Sequence, residues 1–209
     1  ADLAVSVGTS RVAGSQTAYL KKGQRFYTNP SMAAMGFDLP AAIGICIGNR
    51  RKKTILGTGE GSFQMNLQEL QTIWHHQLPI LVFVMNNQGY HSIRMTQRSF
   101  FGEDLVGVGE DSHDLSFPDL SKLIPAYGIP FRRIGTVQEL KDTLPEVFSE
   151  EGPCVCEVML DITQVTEPKV ASRADKAGHM VSGTLENMAP FLEEEEVGRI
   201  FESVGIHME

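Results

Sequence analysis

Glu60 stands between two glycines in the stretch Gly57-Thr-Gly-Glu-Gly-Ser62, directly after the apolar run Thr54 to Leu56. Glycine lets the backbone come close to a ligand, so a glycine-flanked turn after a strand is a place where backbone N–H groups face something. A lone carboxylate in that turn calls for an electropositive partner. The segment Pro79-Ile-Leu-Val-Phe-Val-Met85 reads as a buried strand and ends in Asn86-Asn87-Gln88-Gly89, so that Asn87 follows Glu60 by 27 residues. If the two strands are neighbours, a carboxylate, an amide oxygen and an open backbone carbonyl meet at one sheet edge. With phosphate oxygens added, that set suits a hard octahedral cation such as magnesium, which reaches proteins through one or two side chains plus a phosphorylated ligand. The N–H groups of Gly61 and Ser62, opening the next helix, would face the same phosphates. Two simpler readings stay open: a strand-to-helix turn in which Ser62 or Asn66 caps the helix, and an ordinary Asn-Asn turn after a strand.

The elements that must position these residues follow from periodicity. Short apolar runs at Leu3 to Val7, Thr54 to Leu56, Pro79 to Met85, Phe131 to Ile134 and Cys154 to Leu160 read as strands. Helical spacing occupies residues 11–22, 32–48, 66–77, 116–127 and 136–149, the last opened by a Thr136/Glu139 capping box. The alternation predicts an α/β fold with a doubly wound, mostly parallel sheet and helices on both faces. Ligands in such sheets sit beyond the carboxyl ends of the strands, here the loops Gly8 to Ser10, Gly57 to Ser62 and Asn86 to Tyr90. The Gly- and Asp-rich region Ser99 to Ser116 lacks a period and reads as a lid or mobile loop. The expected division is a domain over residues 1–162 and a C-terminal tail or docking segment over 163–209, where residues 163–184 offer no sheet-forming run and Glu193 to Glu196 read as a solvated helix face.

Composition narrows the class. With 209 residues, 42% of them hydrophobic, the chain supports a sizeable core. A net charge of −8, with no basic cluster beyond Arg50-Arg51-Lys52-Lys53, speaks against a nucleic-acid partner. No apolar run approaches the ~18 residues of a membrane span, and there is no signal sequence, so a soluble, reducing, cytoplasmic setting is expected. Cys154 and Cys156 read as alternating strand positions rather than a metal site. The start at Ala-Asp without Met suggests a processed or excised piece. A plain nucleotide-binding turn is the rival from another class, although neither G-x-G-x-x-G followed by an acid nor G-x-x-x-x-G-K-[ST] occurs.

The Gly-Glu-Gly-Ser and Asn-Asn pair resembles the thiamine-diphosphate fingerprint, normally Gly-Asp-Gly followed by Asn-Asn. Flanking "SFQMNLQEL", "LPILVFVMNN", upstream "MAAMGFDLPAAIG" and downstream "FPDLSKLIPAYGIP" and "SGTLENMAPFLEEE" are similar to the pyrophosphate-binding domain of acetolactate synthase-like enzymes. The resemblance implies that Glu60, Asn87 and the Gly89 carbonyl hold Mg2+. It implies that Gly8, Thr9 and Ser10, with Gly59, Gly61 and Ser62, line the diphosphate, that Tyr90 lies beside them, and that Met35 rests against the bent cofactor. On helical spacing alone Met32 and Met35 read as core filler. His91 and Arg94 are candidates to face a substrate carboxylate, with a structural helix role as the alternative, and His75-His76 read as a surface pair. The implied activity is decarboxylation of 2-oxo acids with carbon–carbon bond formation, by a dimer or tetramer. A decarboxylase or lyase of the same superfamily and a non-catalytic cofactor-binding module are the alternatives.

Two departures stand out: Glu60 replaces the usual Asp, and Thr96 lies near the position where acetohydroxyacid synthases carry Trp. Such cofactors carry the difficult chemistry themselves, while the protein anchors and orients them. In the family, the glutamate that activates the cofactor's aminopyrimidine comes from a separate pyrimidine-binding domain, for which this chain has no second α/β repeat. The chain therefore reads as the C-terminal third of a larger enzyme or the small subunit of a split one, inactive alone.

Overall fold

The computed structural model describes residues 2–5, 18–165, 167–175 and 177–205. The chain divides into two compact units, Ala1–Gln164 and Val165–Glu209.

The first unit is built on a six-stranded, all-parallel sheet with the order β2-β1-β3-β4-β6-β5. Its strands are β1 (Asp2–Val5), β2 (Phe26–Tyr27), β3 (Thr54–Gly59), β4 (Ile80–Asn86), β5 (Phe131–Ile134) and β6 (Cys154–Met159). The helices between them are α1 (Asp38–Gly48), α2 (Glu60–Gln64), α3 (Glu69–His75), α4 (His91–Phe101), α5 (Leu120–Ala126) and α6 (Val137–Ser149). Strand β4 shows why the sheet is covered on both sides. Ile80, Val82 and Val84 enter a core with Leu39 and Cys46 of α1, Leu70 and Ile73 of α3 and Ile124 of α5. The alternate residues Leu81 and Phe83 enter a second core with Val147, Leu140 and Leu144 of α6. Each fully buried aliphatic side chain contributes roughly 1.5–3 kcal/mol, and a strand with apolar residues on both faces is stable only between two helical layers.

The order reverses at β1/β3, because β2 lies on one side of β1 and β3 to β6 lie on the other. In open α/β sheets that reversal opens a crevice beyond the carboxyl ends of the strands. The in-register pairing Thr58↔Val84 and Gly59↔Met85 brings the carboxyl ends of β3 and β4 to one height. The expected doubly wound parallel fold is thus the one observed.

Several boundaries differ from the periodic reading. Residues 32–37 are not helical. Gly36 there has φ +81°, and its N–H donates to Ser62 Oγ at 2.9 Å while its carbonyl accepts from Asn66 Nδ2 at 2.6 Å. Met32 is 81% exposed and Met35 half-buried, so neither fills the core as helical spacing suggested. Residues 18–22 are also non-helical. The aperiodic region 99–116 is partly ordered: its first residues end α4, Glu110–Ser112 form a 3-10 turn, and Val108 and Gly109 are buried. Thr136 caps α6 by accepting from the Glu139 N–H, but the Glu139 carboxylate reaches back to the Gly135 N–H rather than to Thr136.

The second unit carries an antiparallel hairpin, β7 (Ser172–Ala174) with β8 (Met180–Ser182), and helix α7 (Glu194–Ser203). The expectation of no sheet-forming run in 163–184 fails here because the turn, not the strands, specifies the pairing. The Asp175 carboxylate accepts the N–H groups of Ala177 and His179 and closes the loop. Glu194 to Glu196 occupy the first turn of α7, where carboxylates favour the helix dipole. None of the described helices is long and apolar enough to cross a membrane.

Candidate functional site

Strand β3 ends in Gly59 and the chain turns directly into α2, whose first residue is Glu60. The Glu60 carboxyl is only 4% exposed, and burial pushes its pKa above the ordinary carboxylate range; the Gly89 N–H bond to it and the charge of Arg94 act the other way without cancelling the shift. A carboxylate held in this way is stabilised by a cation placed beside it.

What faces it comes from the end of β4. The Gly89 N–H donates to Glu60 Oε1 at 2.5 Å. One end of the Asn87 side-chain amide lies 3.3 Å from Glu60 Oε1 and 2.8 Å from the Gly89 carbonyl oxygen. With nitrogen at that end, both are hydrogen bonds and the amide occupies the centre of the cluster. With oxygen there, three oxygens face one another, an arrangement favourable only around a cation. Two ligands at ~2.1 Å and at right angles on one octahedral ion stand about 3.0 Å apart, so the observed gaps match the edges of such a shell. Among the described residues there is no cluster of three or more His, Cys, Asp and Glu that could hold a metal ion.

The loop Asn86–Tyr90 is braced on two sides. Asn86 Nδ2 donates to Glu157 Oε1 at 2.6 Å, and Asn86 Oδ1 accepts from the Gln88 N–H at 2.9 Å. Glu157, buried in β6, is paired in turn with Arg133 at 2.6 Å. On the other side, Arg94 of α4 is fully buried and donates to the carbonyls of Asn87 (3.2 Å) and Gln88 (3.0 Å) and to both carboxylate oxygens of Asp111. Arg94 thus lies fully buried beneath the loop with its guanidinium engaged by these groups. His91 is buried at the start of the same helix. His75 and His76 are exposed at the end of α3.

The remaining expected residues fall around this centre. Gly61 and Ser62 form the first turn of α2, with Ser62 also clasping Gly36. A Cβ on Gly61 would collide with the Tyr90 ring, whose Cδ1 would stand 2.8 Å away, and that ring packs edge-on against Phe117 at 5.6 Å. The clasp on Gly36 brings the Met35 turn against α2. Thr96 is exposed, its hydroxyl donating to the Ser92 carbonyl. Gly8, Thr9 and Ser10 lie outside the described residues. Sequence reasoning missed Asp38, buried at the start of α1, which accepts a short hydrogen bond from Thr58 in the middle of the glycine turn. It missed the bracing acids Asp111 and Glu157 as well. No local pattern marks these three, because each meets its partner only through tertiary folding.

Residues 6–158 match the family described as thiamine pyrophosphate enzyme, C-terminal TPP binding domain. The chain belongs to that family. This thiamine-diphosphate-binding domain is 32% identical over 168 residues to the acetolactate synthase large subunit of Cyanidium caldarium, covering 80% of this chain and 28% of that protein. It is 28% identical over 171 residues to the acetolactate synthase isozyme 2 large subunit of Escherichia coli (strain K12), covering 82% and 30% respectively. Against the chloroplastic acetolactate synthase 2 of Nicotiana tabacum it is 28% identical over 173 residues, covering 81% and 26%. The domain spans less than a third of the length of these curated relatives.

Proposed function

We propose that the domain binds thiamine diphosphate through one Mg2+ held by Glu60, Asn87 and the Gly89 carbonyl, and that it serves an acetolactate synthase-like enzyme. That enzyme would act on 2-oxo acids, decarboxylating one and forming a carbon–carbon bond. The observation that carries the reading is the convergence of the Asn87 amide on Glu60 Oε1 and the Gly89 carbonyl, at 3.3 and 2.8 Å, at the carboxyl edge of β3 and β4. With its oxygen directed at Glu60 and the Gly89 carbonyl, the Asn87 amide would be one of the groups that hold the cation. The first turn of α2 presents the N–H groups of Gly61 and Ser62 to the diphosphate, joined by Gly59 and by Gly8, Thr9 and Ser10, while Tyr90 fixes the width of the turn and Met35 lies against the cofactor. When bound, thiamine diphosphate supplies the carbanion chemistry that 2-oxo acid decarboxylation requires. This chain anchors and orients it.

The carboxylate that activates the aminopyrimidine comes, in this reading, from a pyrimidine-binding domain of the same or a partner chain, in a dimer or tetramer. The three free, buried cysteines accord with a reducing, cytoplasmic setting. Thr96, in place of the acceptor-pocket Trp, keeps a decarboxylase or lyase as the alternative activity. Calorimetric titration with thiamine diphosphate tests the binding: affinity should depend on Mg2+ and fall sharply in Glu60→Gln. Binding that ignores Mg2+, or is unchanged in the variant, refutes the site. Carbon dioxide release from pyruvate should be absent for the 209-residue chain and present once it is joined to a pyrimidine-binding domain.

A further inference from the structure

The Arg94–Asp111 pair is expensive on its own terms. A guanidinium with 0% exposure has lost its hydration, and burying an ion pair of this kind rarely gains stability over an apolar pair of equal volume. Its geometry indicates another use. Arg94 spends Nη1 on the Asn87 carbonyl and Nη2 on the Gln88 carbonyl, the peptide units that carry the Asn87 side chain and lead to the Gly89 carbonyl. Asp111 holds Nε at 2.8 Å and Nη2 at 3.0 Å, a two-pronged grip that fixes the plane of the guanidinium.

Asp111 is itself placed by the chain around it. The Tyr90 N–H donates to the Val108 carbonyl at 2.6 Å, the Glu110 N–H donates to the Gln88 carbonyl at 3.4 Å, and Gly89 and Gly109 pair as an antiparallel bridge. The two segments cross so closely that a Cβ on either glycine would meet Arg94 Nη2, at 2.5 Å from Gly89 and 2.8 Å from Gly109, as well as the opposing backbone. The carboxylate has an electrostatic role too. Without it, a buried cation would stand under a site that must admit a divalent cation, and the two would repel.

We propose that Arg94 and Asp111 are positioning residues for the metal ligands. In this inference, which rests on the metal reading above, segment 108–111 is the outer wall that sets the Asn87 and Gly89 oxygens, and cation affinity depends on Asp111 although that residue touches no ligand. Loss of a group that orients a metal ligand typically lowers metal affinity 10- to 100-fold.

The test is Mn2+ titration of the full chain, followed by electron paramagnetic resonance with thiamine diphosphate at fixed concentration. Asp111→Ala and Asp111→Asn should each raise the Mn2+ Kd about 10- to 100-fold, while far- and near-ultraviolet circular dichroism stay as in the parent and Asp111→Glu recovers part of the affinity. A folded Asp111→Ala with a Kd within about threefold of the parent, well short of that range, overturns the proposal. Should the Asp111 variants not fold, hydrogen exchange on the parent chain decides: the Tyr90 and Glu110 amides should exchange more slowly with Mn2+ and thiamine diphosphate bound, and unchanged rates overturn it. A parent chain that binds no Mn2+ removes the metal reading and this inference together. Normal binding that Glu60→Gln abolishes and the Asp111 variants spare removes only this inference.

Discussion

Gly89→Ala is the sharpest perturbation of the site's frame, because it adds one methyl group where two backbones cross. The new Cβ would overlap the Val108 carbonyl oxygen and stand 2.5 Å from Arg94 Nη2 and 2.9 Å from Gly109 Cα, all closer than carbon tolerates. Segment 108–111 must therefore swing away from the loop. The hydrogen bonds across that crossing are Tyr90 N–H to Val108, Glu110 N–H to Gln88, and the charged link from Arg94 to Asp111. At about 1 kcal/mol for each neutral bond and about 1.5–3 kcal/mol for the charged one, their loss costs about 3.5–5 kcal/mol. For a chain of this size that corresponds to a fall in Tm of about 7–20 °C. Urea unfolding followed by circular dichroism measures it, with Gly44→Ala as a control of opposite sign. Gly44 is exposed in α1 with nothing within 4 Å of the added methyl, so alanine there should stabilise by about 0.5–1 kcal/mol. A Gly89→Ala chain as stable as the parent would refute the argument that the crossing is closed.

Glu60 links the site to pH. Burial raises its pKa above the ordinary 4.5, so the folded cation-free chain holds this proton more tightly than the unfolded chain does. That favourable difference is complete below the unfolded value and is lost as pH rises through the folded one, so the cation-free chain should lose stability upward from about the usual carboxylate range. Mg2+ affinity should move the opposite way, rising over the same window because the cation displaces the proton; titrations at several pH values check both, and Glu60→Gln should flatten both. Gly61→Ala should cost about 1–3 kcal/mol by pressing on the Tyr90 ring, and combining it with Tyr90→Ala should give less than the sum of the two single effects, measured as a double-mutant cycle. Burial pushes the Cys154 and Cys156 thiols up to about 11, so neither should react with a thiol reagent at neutral pH in the folded chain, and both should react after unfolding.

The strands that carry the site were legible because each is a run of apolar residues covered on both faces: β5 and β6 lie within the segments that the pattern marked, while β3 runs on from Leu56 to Gly59 and β4 from Met85 to Asn86. The glycine turn and the Asn pair were legible for a different reason, since their residue types have few other uses in that order. Helix α4 was not. Its sequence His-Ser-Ile-Arg-Met-Thr-Gln-Arg-Ser-Phe-Phe has no side-chain cap and leaves Ile93, Phe100 and Phe101 exposed, so the usual signals of start and buried stripe are missing. Strand β2, of two residues, is too short for any period, and it exists because Leu3 and Ala4 of β1 pair with Phe26 and Tyr27. The turn at Gly36 overrode helical spacing through tertiary hydrogen bonds to Ser62 and from Asn66, which no local window contains.

The neighbouring asparagines divide the labour between them. Successive residues at the end of a strand point to opposite sides, so Asn86 turns to Glu157 while Asn87 turns to Glu60. Inserting or deleting one residue within β4 would exchange the two, setting the brace where the ligand belongs and the ligand where the brace belongs. Chain length between 102 and 106, where every residue but Leu105 is exposed, carries no such phase. The domain should therefore accept added residues at the latter position and none at the former, which makes the spacing from strand core to Asn87 the dimension least free to vary.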